Sequence, residues 1–304
     1  MNISKILKYN VTSANKFGWE PSWFGFKHHD EELINAIIAY QKSKGLTGDG
    51  MVGMQTFRRI FTDREAEISS WEPRTSSRDT NHIVYNGEFF PIRWDKVILW
   101  DEDDGLKAKE GCYRKQVGTN RHIKLFVNHW DVCLSSASCQ RVLDDRGISV
   151  HFLIDNDGTI FQTLDIQHQA WHAGNQNSFS VGVEISNAYY ADKYQSWYVK
   201  NGFGERPIVK GKVRGVELEE HLGFYDVQIQ AAQALWWAIA DACDIPMRCP
   251  IQNDGKGKVE EYDSLFEPAA KGDWSGFVHH YQISNAKIDC GGFDITKYLG
   301  KWEI

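Results

Sequence analysis

No run of about 18 consecutive apolar residues occurs in this chain, so no membrane-spanning helix and no membrane insertion are expected. The N-terminus, Met1-Asn2-Ile3-Ser4-Lys5-Ile6-Leu7-Lys8, lacks the long apolar core and small-residue cleavage site of a secretory signal. Synthesis in the cytoplasm, with delivery or release by another route, is the expectation. Positive charge is in short supply: 34 Lys and Arg face 41 Asp and Glu, a formal charge of -7. That balance argues against nucleic acid as a partner, since phosphate binding needs basic patches. Six cysteines are too few to staple a fold in 304 residues, and no CxxC pair is present to suggest a structural zinc knuckle.

What remains suits a globular chain with one large and one small domain, 42% of it hydrophobic. Twelve tryptophans are many. Aromatic faces are a usual platform for sugar rings, although core packing is the ordinary use of most of them.

The densest chemistry lies near the end, in His279-His280-Tyr281-Gln282-Ile283-Ser284-Asn285-Ala286-Lys287-Ile288-Asp289-Cys290-Gly291-Gly292. A catalytic zinc takes three protein donors, commonly imidazole and carboxylate, and keeps a fourth position open. His280 and Asp289 fit two of those donors, and the glycine pair lets the loop fold back. Lys287 cannot bind a metal but can steady an oxyanion beside it. Taken alone, the same stretch also reads as a solvated polar loop.

Earlier in the chain, Asp30 is placed to cap a helix with Glu31 and Glu32 in its first turn and Leu33, Ile37 and Ile38 on its apolar face. A glycine-punctuated turn, 45–53, leads to a second helix carrying Phe57, Ile60 and Phe61. Residues 62–80 lose periodicity and gather charge and Ser, which reads as a linker. From His82 onward short β-type runs appear, and Ile123 to His129 reads as a buried strand ending in histidine. Ser149 to Gln162 reads as a hairpin across an Asn-Asp-Gly turn. Ser180-Val181-Gly182-Val183-Glu184-Ile185 is a strand whose apolar run is broken by a carboxylate, costly to bury without a partner or a task. Residues 188–222 read as a long connection, and Tyr225 to Ala242 as a core helix.

Two resemblances follow from these motifs. Tyr40-Gln41, Gly45-Leu46, Asp49-Gly50, Val52-Gly53 and Thr56-Phe57 resemble the peptidoglycan-binding type 1 module, although residues 9–29 depart from its usual first helix. Val127-Asn128-His129, the His151-Phe152-Leu153-Ile154 hairpin, Ala170-Trp171-His172-Ala173-Gly174, Ser180-Val181-Gly182-Val183-Glu184 and His280 through Lys287 to Asp289 resemble, in order, the zinc-dependent N-acetylmuramoyl-L-alanine amidase type 2 family, including phage endolysins and peptidoglycan recognition proteins.

The second resemblance implies an α/β fold, a central mixed sheet flanked by helices, with the first adding a small all-α module. The division expected is 1–66 for the helical peptidoglycan-binding module, 67–80 for the linker and 81–304 for the catalytic domain. It further implies Zn2+ held by His129, His280 and Asp289, with Glu184 as catalytic base and Lys287 as oxyanion partner. Trp171, His172 and Asn175 would contact substrate. His279 and Cys290 remain alternative ligands. Cys133 and Cys139 match a disulfide of the recognition proteins. The implied activity is hydrolysis of the amide between N-acetylmuramic acid and L-alanine of bacterial peptidoglycan, as a phage endolysin. The alternatives are an antibacterial effector amidase or an inactive recognition protein.

Overall fold

The computed structural model describes residues 2–78, 81–117, 121–253 and 259–299, so Asp79 and Thr80 of the expected linker lie outside it. Helix α1 (Ile3–Phe17) lies where the sequence reading placed none. Its buried face is Ile6, Asn10, Ser13 and Phe17, and the two polar members hide its periodicity. Asn10 can be buried because its amide donates to Gly50 O and accepts from Val52 N–H, both at 2.9 Å. Helix α2 (Glu31–Ser43) starts as expected, with the Asp30 carboxylate accepting from Leu33 N–H at 2.9 Å. Helix α3 (Met54–Ile68) follows, with Phe57, Ile60 and Phe61 inward. Gln41 clamps the turn between them: Nε2 donates to Asp49 Oδ1 (2.8 Å) and Met51 O (3.0 Å), while Oε1 accepts from Gly50 N–H (2.9 Å).

The central sheet has six strands: β1 (Val97–Leu99), β2 (Leu125–Trp130), β3 (Phe152–Ile154), β4 (Ile160–Gln162), β5 (Ser180–Ile185) and β6 (Gly276–His279). Their spatial order is β6-β2-β5-β3-β4-β1, parallel throughout except for the β3–β4 hairpin. The mixed sheet and its flanking helices are those expected. Strands of this sheet covered on both faces are buried at nearly every position, polar ones included, as β2 and β5 are. Helix α4 (Ser136–Arg146) shares one core cluster with Leu153 and Phe161. Helix α5 (Ala191–Lys200) lies within 188–222, a stretch whose sequence reads as a long connection. Tyr194, Trp197 and Tyr198 form its buried face at helical spacing, a stripe of aromatics among charges. Helix α6 (Asp226–Cys243) packs Ala231, Leu235, Trp236 and Ile239 into the cluster that holds Phe126, Val183 and Phe277.

The N-terminal helices do not hang apart from the sheet. Phe17, Trp19, Leu33, Phe57 and Phe61 share a single buried cluster with Val142, Leu143, Val150, Leu153 and Phe161. Asp63 of α3 accepts from Tyr40 (2.9 Å), pairs with Lys44 (2.6 Å) and accepts from Tyr194 of α5. Thr62 Oγ1 donates to Val132 O at 3.1 Å, and Glu65 pairs with Arg141 at 3.3 Å. Residues 69–78 form no regular element, yet they are tied down. Trp71 bonds Asn201 and Asp155, Arg74 bonds Asp104 O, and Ser76 and Ser77 both bond the Glu102 carboxylate. Among the described residues no helix is long and apolar enough to cross a membrane.

Candidate metal centre

Strand register assembles the site. β2 and β5 are parallel neighbours in which His129 stands opposite Glu184, and alternation along the strands aims both at the same face. β6 runs on the other side of β2, with His279 opposite Asn128, and the chain turns immediately after it at His280. The loop that follows returns Asp289 to the same point.

His129 Nδ1 and His280 Nδ1 lie 2.9 Å apart, and Asp289 Oδ2 is 3.0 Å from each. These are the three residues that the sequence resemblance grouped as ligands. Two ring nitrogens facing each other need a proton or a cation between them. Burial, followed by the nearby His280, pushes His129 down to about 4, so at neutral pH it is an uncharged imidazole. Burial alone would raise Asp289, but His280 and His129 outweigh it and hold the carboxyl well below its usual range. Neutral imidazole and ionised carboxylate are the states in which such side chains bind a metal.

The remaining nitrogen of His129 is also fixed. Nε2 lies 3.0 Å from His172 Nδ1, and His172 Nε2 lies 3.2 Å from Ser180 Oγ. The chain is satisfied when each Nε2 carries the proton, which leaves the His129 Nδ1 lone pair turned to Asp289 and His280. His172, expected at the substrate, is thus also an orienting partner for His129. Gly182 makes this possible, because a Cβ there would sit 2.4 Å from His172 Nδ1. Trp171 is half-buried, its backbone N–H donating to Ser149 Oγ at 3.1 Å, and Asn175 is exposed; neither lines the cleft at the metal centre.

Of the alternative ligands, His279 turns away, with Nε2 2.7 Å from Phe293 O and 3.0 Å from Glu261. Cys290 is fully buried in the core against the sheet. Cys133 and Cys139 are adjacent, buried and unjoined.

Glu184 and Lys287 line the same cleft of about 220 Å3. Burial, then the charges of Asp289 and Asp131, raise the Glu184 carboxyl well above its ordinary value against the opposing charges of Arg58 and Arg146, and among the described residues its Oε2 has no hydrogen-bond partner. The cleft also holds groups that sequence reasoning missed: Gln55, Arg58 and Arg59 of α3, Arg146 at the end of α4, and Tyr189. No local signal marks them, since two adjacent arginines on an amphipathic helix read as its wet face.

A family profile described as N-acetylmuramoyl-L-alanine amidase matches residues 119–291, more than half of the chain. Similar solved structures include the amidase AmiD from E. coli in complex with anhydro-N-acetylmuramic acid-L-Ala-D-gamma-Glu-L-Lys, 24% identical over 44% of this chain and 49% of that one, TM-score 0.30. The endolysin amidase LysCS from Clostridium intestinale is 12% identical over 67% of this chain and 92% of that one, TM-score 0.38. Drosophila peptidoglycan recognition protein SA is 16% identical over 61% and 97%, TM-score 0.32. The chain spans about half the length of the E. coli enzyme. No curated protein matches significantly. By the profile match, the chain belongs to the N-acetylmuramoyl-L-alanine amidase family.

Proposed function

We propose that this protein is a zinc-dependent peptidoglycan hydrolase that cuts the amide joining the lactyl group of N-acetylmuramic acid to L-alanine of the stem peptide. The observation that carries the reading is the convergence of His129, His280 and Asp289 beside Glu184 in one cleft. Two imidazole nitrogens and one carboxylate oxygen are the donor set of a catalytic zinc, with a fourth position left over. The chemistry such an ion supplies is Lewis acidity toward a carbonyl oxygen and acidification of a water.

The side chains divide the remaining work. Glu184 takes the proton of the attacking water and returns it to the departing nitrogen of L-alanine, and burial raises its carboxyl above the ordinary value. Lys287 balances the negative charge that develops on the former carbonyl oxygen. His172 keeps His129 in its binding tautomer. The peptide that leaves is of the kind named in the E. coli complex, in which a γ-linked glutamate retains a free α-carboxylate.

A lytic role on whole cell walls, as in a phage endolysin, is the finer part of the proposal and rests on the N-terminal module's likeness to a wall-binding domain. The test is mass spectrometry of purified sacculi digested by the zinc-loaded protein. The expected products are stem peptides with a free L-alanine amine and intact glycan strands. New reducing sugar ends, or no products at all, would reject the reading.

A further inference from the structure

Part of the lining of the cleft is helical and basic, and the charges of Arg58 and Arg146 reach Glu184. Arg58 and Arg59 come from α3 and Arg146 from the last turn of α4. All three are half-buried. Their Nε atoms, and Nη1 of Arg59, are buried and have no hydrogen-bond partner among the described residues. Among the described residues none of the three makes an ion pair. Arg121 and Arg206 also leave Nε without a partner, but their Nη groups are used: Arg121 donates to His168 O and Ser180 O, and Arg206 to Gly223 O, Ser186 O and Asn156. Those two are structural, holding backbone carbonyls.

Arg59 lies over the Tyr190 ring at 4.9 Å. Helix α3 is fixed one turn further on by Thr62, Asp63 and Glu65. Partly desolvated guanidinium groups with unused donors favour an anion, and their planar fork matches a carboxylate. Helix α3 lies outside the 119–291 segment matched by the family, so Arg58 and Arg59 are additions to the amidase domain, whereas Arg146 belongs to it.

We propose that the N-terminal helical module is part of the catalytic cleft and that Arg58 and Arg59 bind a free carboxylate on the peptide side of the scissile amide. The identity of that peptide rests on the hydrolase reading above; the anion site rests on the cleft alone. The module is then a specificity element, selecting stems with ionised carboxylates over amidated ones.

The test uses the zinc-loaded full chain and two probes, L-Ala-γ-D-Glu-L-Lys with free carboxylates and the same peptide fully amidated, with binding measured by calorimetry. The free acid should bind about tenfold tighter. The double variant Arg58→Gln/Arg59→Gln should erase that difference, and Arg58→Lys/Arg59→Lys should restore part of it. Equal binding of acid and amide, or of neither, overturns the proposal, as does a Gln variant that keeps the preference. The comparison of acid with amide on the unaltered chain stands even if a variant misfolds. Parallel hydrolysis of the matching muramyl peptides separates the two readings. Acid-selective binding without cleavage sinks the hydrolase and leaves the anion site, whereas cleavage without selectivity does the reverse.

Discussion

The strand-end wall of the cleft and its helical wall satisfy their polar groups in different ways. At the strand ends, His129 has a polar neighbour at each ring nitrogen, His172 at one and His280 with Asp289 at the other, and among the described residues Glu184 Oε2 is left without a partner. At the helices, Arg58, Arg59 and Arg146 keep buried nitrogens unused among the described residues, while their backbone carrier is pinned by the Asp63 cluster. The first wall is organised for a reaction whose geometry is fixed in advance. The second is organised for a guest that brings the missing partners with it. The contrast shows that a recognition surface can be rigid in its scaffold and unsatisfied at its tips.

The most severe way to break this comparison is to remove residues 1–66. A tethered wall anchor would leave the amidase domain intact. Here the deletion uncovers Val142, Leu143, Val150 and Phe161, and the expected outcome is loss of a cooperative thermal transition, read by calorimetry. Next in size, Glu184→Gln touches only the reaction side. It should cut kcat by about 10²–10⁴ while zinc content by elemental analysis stays at the wild-type level. Smaller again, Gly182→Ala places a methyl group against His172. Zinc affinity by chelator competition should fall about 10–100-fold through displacement of an orienting partner, with the fold retained.

The smallest effect concerns the segment behind the helical wall. Burial opposes ionisation of Glu102, but hydrogen bonds from Leu99 N–H, Ser76 and Ser77 prevail and hold it below its ordinary value of 4.5. A depressed folded-state pKa contributes stability above 4.5 that disappears as pH falls through the folded value. Glu102→Gln should therefore cost about 1–2 kcal/mol at pH 7 and progressively less in acid, measured by urea titration at several pH values. A cost independent of pH would place the role of Glu102 in packing instead.

What could be read from the sequence follows the range of the interactions. Local rules located the Asp30 cap, the hairpin at Asn156-Asp157-Gly158 and the apolar runs of β2 and β5. Motif order grouped His129, His280 and Asp289 across 160 positions of chain. Geometry was needed to separate His279 from His280, because adjacent residues look alike until one is seen bonded to Glu261 and Phe293 O. Helix α1 escaped because Asn10 and Ser13 sit on its buried face, satisfied by backbone 39 to 42 residues away. Helix α5 escaped because its stripe is aromatic and its flanks are charged. The cleft arginines escaped because nothing in a helix announces what stands opposite it.

The pairing of His129 with Glu184 carries one last implication. Side chains alternate along a strand, so a single-residue insertion within β2 or β5 would flip one of the two onto the far face while leaving the other behind. The ligand and the proton carrier we propose are thus geared to each other like teeth on adjoining racks. Attempts to re-engineer this chemistry should lengthen the loops that leave the strands and never the strands themselves.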